Sequence, residues 1–213
     1  MLLKEVRIHG RGGQGAVTLG EMIALAAYYN GKQVQAFPSF GVERRGAPAE
    51  SYIRISDREI HRRDHIRNPD YLIVLDSSLL KYGDVINGLD KGDIVFVNSA
   101  KGGDEIAGHL SIYPDVKIMA FDAAQLSMEI LGRVIVNTAM MGAFAFGTGL
   151  FSMKDARKAI EEKLAEKGAD IVAKNIELAQ KAYDHLDPHK QFVVIPGEMD
   201  LVVLDDEKMV VDS

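Results

Sequence analysis

EVRIHGRGGQGAVTLGEMIALAAYYNGKQVQAF, residues 5 to 37, decides the fold. Its first run, EVRIHG, is short, partly β-branched and stopped by Gly10, as a strand requires. Behind the glycines, Ala16, Leu19, Ile23 and Ala27 recur at helical spacing within Gln14 to Asn30, and Asn30-Gly31 supplies a stop before a second strand, VQAF. Strand, helix and strand make a β-α-β unit. At its first junction Gly10, Gly12 and Gly15 stand in G-x-G-x-x-G register. Such a turn leaves backbone amides unobstructed at the positive end of a helix and suits an anion. The same turn also serves simply to bring a helix close to its strand.

The pattern continues along the chain. ESYIRIS, YLIVLD, DIVFVN and VKIMAF read as further strands, each bounded by Gly, Pro, Asn or Asp. ESYIRIS alternates apolar with polar residues, which predicts one wet face and an antiparallel partner, whereas YLIVLD is apolar throughout and therefore central. Two closing helices are read at Asp155 to Lys167 and Asp170 to His185, the second with a stripe of Val172, Ile176, Ala179 and Tyr183. They are expected to pack across the sheet. The fold class is α/β: a Rossmann-like, mostly parallel sheet with helices on both faces over residues 1–186, then a short β-rich tail, 187–213. In that tail FVVI, LVVL and MVV are strand-like, parted by Pro-Gly and Asp-Asp turns. Lacking a helix, they cannot bury themselves, so they are expected to serve assembly by wrapping this chain or joining a neighbouring subunit.

Composition excludes several function classes. With 47% apolar residues among 213 the chain buries one sizeable core, and a formal charge of -6 argues against general nucleic-acid binding. Lys4, Glu5 and Arg7 interrupt the start, so no signal-peptide core is read, and no stretch stays apolar long enough to span a membrane. A soluble, cytoplasmic protein is expected. Without cysteine, the chain has no thiolate for an iron-sulfur cluster and no thiol nucleophile. His61 and His65 stand four apart without a third ligand in pattern, so no metal site and no catalytic residue is read.

A nicotinamide dinucleotide is tested at the end of the second strand, where Asp or Glu should bind the ribose. Here VQAF runs into Pro38, Ser39, Phe40 and Gly41, and Glu43 comes late, followed by Arg44-Arg45. NAD is disfavoured, although an arginine would suit a phosphorylated ribose.

Three segments taken in order, GRGGQGAVTLGEM, QAFPSFGVERRGAP and GRVIVNTAMMGAFAFGTGL, carry a family likeness. The chain resembles the gamma subunit, or gamma domain, of the 2-oxoacid:acceptor (ferredoxin) oxidoreductases over about residues 4 to 185. The resemblance implies a complex whose alpha, beta and delta-type subunits hold thiamine diphosphate with Mg and 4Fe-4S clusters. That complex decarboxylates a 2-oxoacid, pyruvate by default, passes electrons to ferredoxin and transfers the acyl group to coenzyme A (CoA). The gamma part is implied to help build the CoA pocket and the assembly interface, with no membrane or nucleic-acid partner.

On that reading the CoA phosphates meet the amides of Gly12, Gly13, Gln14 and Gly15 and the guanidinium of Arg11, and Arg44 and Arg45 add bidentate contacts. The competing readings are a solvated loop charge for Arg11 and an ion pair with Glu43 or Glu50 for the arginine pair. Ser39, Phe40 and Gly41 form a permissive loop in which Phe40 stacks on adenine or plugs a subunit contact. Asn137 and Thr138 precede an apolar helix, where they cap its first turn or touch the cofactor. Met140, Met141, Phe144 and Phe146 read as core or interface. Asp76, closing YLIVLD, reads as a turn cap. Arg44 to Arg67 contains seven arginines with His61 and His65, a basic run that steers CoA, docks an acidic neighbour or is merely solvated. Beside the CoA-site subunit stand two other readings: a stand-alone NAD(P)-binding oxidoreductase and a purely architectural subunit.

Overall fold

The structure, a computed structural model, describes residues 2–39, 46–108, 115–186 and 192–194. All six strands read ahead of the tail are present: β1 (Leu3–Arg11), β2 (Gln33–Pro38), β3 (Pro48–Ser56), β4 (Tyr71–Val74), β5 (Ile94–Asn98) and β6 (Lys117–Phe121). A further strand, β7 (Phe192–Val194), joins them in one sheet of order β2-β3-β1-β4-β5-β6-β7.

The four strands β1, β4, β5 and β6 pair in parallel. β3 runs antiparallel to both β1 and β2, and β7 antiparallel to β6. The expected mostly parallel sheet is thus found, β3 has the antiparallel pairing expected for ESYIRIS, and β7 adds an antiparallel edge. For β3 the reason is chain length: residues 39–47 are too few for a parallel crossover, which needs about a dozen, so β2 and β3 close antiparallel. The β-α-β unit is split, since β3 fills the place beside β1 while α1 (Ala16–Tyr29) carries the chain past it to β2. Of the tail, Phe192–Val194 extends this chain's own sheet. LVVL and MVV lie outside the described residues.

Strand alternation sorts the core onto two faces. Ile8, Ile53, Ile73, Phe96 and Met119 lie under α1, α4 (Ala123–Leu131) and α5 (Asn137–Thr148). Leu72, Val74, Val95, Val97 and Ile118 lie under a 3-10 turn (Ser77–Lys81), α2 (Gly83–Ile86) and α3 (Gly103–Ala107). Helices therefore cover both faces, as expected.

α5 is the central helix. Every residue from Asn137 to Ala145 is buried, and the Phe144 ring packs on Tyr71 and Phe96 with centroids 5.5 and 5.3 Å apart. Met140 and Met141 are core, and Phe146 packs edge-on against Tyr183. Behind α5 lies α7 (Ala169–His185), so close that a Cβ on Gly142 would stand 2.1 Å from the Ala179 carbonyl oxygen. α6 (Met153–Leu164) begins two residues before the expected Asp155, because Ser152 and Asp155 form a reciprocal capping box. The closing helices pack chiefly on α1, α4 and α5, not across the sheet as expected. A helix that is apolar on every side needs cover behind it as well as in front. Among the described residues no helix is long and apolar enough to cross a membrane.

Candidate functional site

The glycine turn stands at the carboxyl end of β1, where α1 departs to one face of the sheet and the chain after β4 departs to the other. This is the place where open α/β sheets receive ligands. A Cβ at Gly10 would stand 3.1 Å from Leu75 Cδ1, so a side chain there fits only if the leucine end gives way by a few tenths of an ångström. Gly15, the N-cap of α1, takes φ +81, and a Cβ there would lie 2.7 Å from Asn137 Nδ2. The first and third segments of the family likeness, far apart in sequence, therefore touch.

The donors can be sorted. The Gly12 amide donates to Ala47 O at 2.8 Å and the Gln14 amide to Arg11 O at 2.9 Å, so these two expected donors are committed within the turn. The Gln14 side chain is committed too, its Oε1 accepting from the Arg11 amide at 2.7 Å. The amides of Gly13 and Gly15 meet no acceptor among the described residues. No side chain caps α1 and its first turn holds no acid, so its positive end is left to the turn.

Arg11 is not a free loop charge. Its Nε donates to Asp76 Oδ2 at 2.7 Å, Nη2 to Ser78 Oγ at 2.8 Å, and Nη1 reaches Gly46 O at 3.4 Å. Asp76 caps the 3-10 turn through the Ser78 amide, as expected, and its second role as partner of Arg11 was missed. Partial burial raises the Asp76 carboxyl, but bonds from Ser78 and Arg11 outweigh it and hold the group below the usual carboxylate range. Ser39 donates its amide to Glu50 O at 3.0 Å. Phe40, Gly41, Arg44 and Arg45 lie outside the described residues.

Asn137 opens α5 and accepts the Thr138 amide at 2.9 Å through Oδ1, which orients its Nδ2 beside Gly15. The cap position itself belongs to Val136. Thr138 is fully buried and donates to Asn175 Oδ1 at 2.8 Å, so it fixes the helix start against α7. A nicotinamide dinucleotide fits poorly here. With β3 between β1 and β2, the end of β2 stands two strands from the turn instead of beside it.

A second polar cluster was not read as such. On β1, Arg7 and His9 alternate with Val6 and Ile8; on β3, Glu50, Tyr52 and Arg54 do the same with Ser51, Ile53 and Ile55. The face expected to be wet is covered instead: Tyr52 is 4% exposed and Arg54 0%. Arg54 is held by Glu5 at 2.7 Å, by Gln35 and by the Asp64 carbonyl at 2.7 Å, and Arg62 also binds Asp64. Part of the basic run is thus neutralised internally. Pairing the two alternating strands in antiparallel register would have revealed this cluster. Among the described residues no group of three or more His, Cys, Asp or Glu side chains is placed to hold a metal.

The family model for pyruvate ferredoxin/flavodoxin oxidoreductase matches residues 5–185. The chain is 48% identical to pyruvate synthase subunit PorC of Methanothermobacter thermautotrophicus, over 86% of this chain and 96% of that protein. It is 46% identical to the pyruvate/ketoisovalerate oxidoreductases common subunit gamma of Thermococcus kodakarensis, over 84% of this chain and 95% of the relative. The crystal structure of pyruvate oxidoreductase subunit PORC from Thermotoga maritima aligns with a TM-score of 0.75 at 30% identity, covering 91% of this chain and 98% of that one. Motif order, strand order and these likenesses agree, and the chain belongs to the pyruvate ferredoxin/flavodoxin oxidoreductase family.

Proposed function

We propose that the chain is the gamma subunit of a multisubunit, CoA-dependent 2-oxoacid:ferredoxin oxidoreductase, with pyruvate as the default 2-oxoacid, and that its glycine turn holds CoA phosphates. Relatives named as subunits of pyruvate and ketoisovalerate oxidoreductases support the first part. The observation that carries the second is the pair of uncommitted amides, Gly13 and Gly15, at the head of α1 beside Asn137 Nδ2. An anionic phosphate is the complement of three donors and a helix N-terminus. When bound, CoA supplies the thiol that carries off the acyl group.

Within this reading Gly12 and Gln14 shape the turn, Arg11 offers what remains of its guanidinium fork, and Thr138 positions Asn137. Ser39, Phe40, Gly41, Arg44 and Arg45 are the further CoA contacts in this reading; Gly46, which follows them in sequence, donates its amide to Gly12 O at 3.1 Å. Thiamine diphosphate, Mg and 4Fe-4S clusters belong to alpha, beta and delta-type partners, since this chain has no cysteine to hold a cluster. Electrons reach ferredoxin through those partners, in the cytoplasm. The isolated chain is inactive, and residues 187–213 serve assembly.

Asn137→Asp in the assembled complex tests the site, because it keeps the Oδ1 that accepts from Thr138 and replaces a donor beside the phosphates with a negative charge. The KM for CoA should rise about tenfold or more, with the KM for the 2-oxoacid and the size of the complex unchanged. An unchanged KM for CoA rejects the phosphate site. A purely architectural subunit, favoured by the Arg11–Asp76 pair, then becomes the better reading.

A further inference from the structure

On the sheet face opposite α1, a cleft of about 790 Å3 opens between β1, β3 and the segments around Arg67 and Asn87. Its volume falls in the range of small-molecule sites. None of its lining residues belongs to the glycine turn.

Its floor is polar and built. His9 is 2% exposed, lines the cleft, and carries a buried Nε2 that has no hydrogen-bond partner among the described residues. Its Nδ1 lies 3.6 Å from Glu50 Oε1, and the carboxylate's negative charge favours the ring proton on Nδ1, the tautomer that leaves Nε2 a lone pair. Burial, helped by the neighbouring Arg7 and opposed by Glu50, pushes the imidazole down to about 4, so it stays neutral and accepting at pH 7. Tyr52 donates its hydroxyl to Glu50 Oε2 at 2.5 Å, which fixes the carboxylate on the floor.

The Nη donors of Arg7 are committed away from these acceptors. Arg7 gives its Nη groups to the carbonyls of Arg67, Val85 and Asn87 at 3.0, 2.9 and 2.6 Å. Glu50 and Asp84 line the cleft beside Arg7 and Arg67, whereas the Asp64 carboxylate is already taken by Arg54 and Arg62, so the acceptors left to a ligand are His9 Nε2, Glu50 and Asp84. We propose that this cleft is a binding site for an organic cation, an ammonium or guanidinium group whose N–H donors satisfy His9 Nε2 and the Glu50 carboxylate while Asp84 faces it from the rim. The same chemistry is offered by a free amine and by a basic side chain of a partner subunit.

The test titrates the full-length chain with 1,4-diaminobutane and agmatine by calorimetry, with 1,4-butanediol and succinate as neutral and anionic controls. Saturable one-to-one binding of the amines is expected, with the His9 Nε2 nitrogen resonance moving as its lone pair accepts a hydrogen bond. Glu50→Gln keeps the shape of the floor and should weaken binding about tenfold or more. Asp84→Asn, on the exposed rim where folding is not at stake, should weaken it about threefold. The same titration on the assembled complex separates the sources: amine binding that persists there marks a free ligand, and binding seen only in the isolated chain marks a partner's basic side chain. No saturable amine binding, equal affinity for the diol, preference for succinate, or unchanged affinity in both variants overturns the proposal.

Discussion

Gly15→Ala puts the joint between the glycine turn and α5 to a quantitative test. Two costs arise from separate features of one position. At φ +81 an L side chain crowds its own backbone, which costs about 1 kcal/mol whatever surrounds it. The added Cβ would also stand 2.7 Å from Asn137 Nδ2, so the Asn137 amide must swing away and give up the Thr138 bond, a further cost of about 1 kcal/mol. Gly15→Ala should therefore lose about 2 kcal/mol, a fall in Tm of about 4–8 °C for a chain of this length. Asn137→Ala alone loses only the Thr138 bond, about 1 kcal/mol. In the double variant the clash is gone and the bond is lost once, so the total is again about 2 kcal/mol and the coupling is about 1 kcal/mol. Urea denaturation of the four chains measures the cycle. Additive losses, with all four chains native by circular dichroism, would refute the contact and with it the convergence of the two motifs.

Arg11→Ala in the complex should raise the KM for CoA about tenfold, leave the KM for the 2-oxoacid unchanged and spare decarboxylation; added salt should weaken wild-type CoA binding more than the variant's. Steady-state kinetics at two ionic strengths decides this. Gly142→Val should cost roughly 3 kcal/mol or more, because the Ala179 carbonyl cannot yield, whereas Gly83→Ala, with open space around it and no positive φ, should be nearly neutral; chemical denaturation compares them. Stability should fall with acid through His9: its pKa drops from 6.5 to about 4 on folding, so the unfolded chain binds more protons between those values. The contribution is whole above pH 6.5 and is reduced by about 2 kcal/mol at pH 5, and His9→Gln should flatten that loss in urea melts. Asp93 acts in the opposite sense, since burial raises its carboxyl to about 6 and costs stability as pH rises from 3.8 through that value; Asp93→Asn should stabilise the chain at pH 7.

What the sequence made legible was local. Each strand announced itself by an apolar run between turn residues, and the helix behind the glycines by its spacing. Partnership was harder to read. Nothing in the periodicity of β3 says that it sits between β1 and β2, because pairing order depends on which edges the whole sheet leaves open; only the short loop before Pro48 hinted at it. Asp76 read correctly as a cap, but its bond to Arg11 joins positions separated by 65 residues, and local spacing carries no such information. The polar face of β3 looked solvated because alternation reports polarity and not cover; the cover comes from residues 57–70, which form neither helix nor strand. At the glycine turn, the sequence located the donors without showing that two of them were already in use.

The burial of α5 also has a kinetic meaning. A helix enclosed by the sheet in front and α7 behind has no solvent-facing side from which to fray, so its amide protons can meet water only when both layers part. Amide hydrogen exchange at Met140 and Met141 should proceed at the rate set by global unfolding. The short turns covering the opposite face should exchange far sooner, through local openings that leave α5 closed.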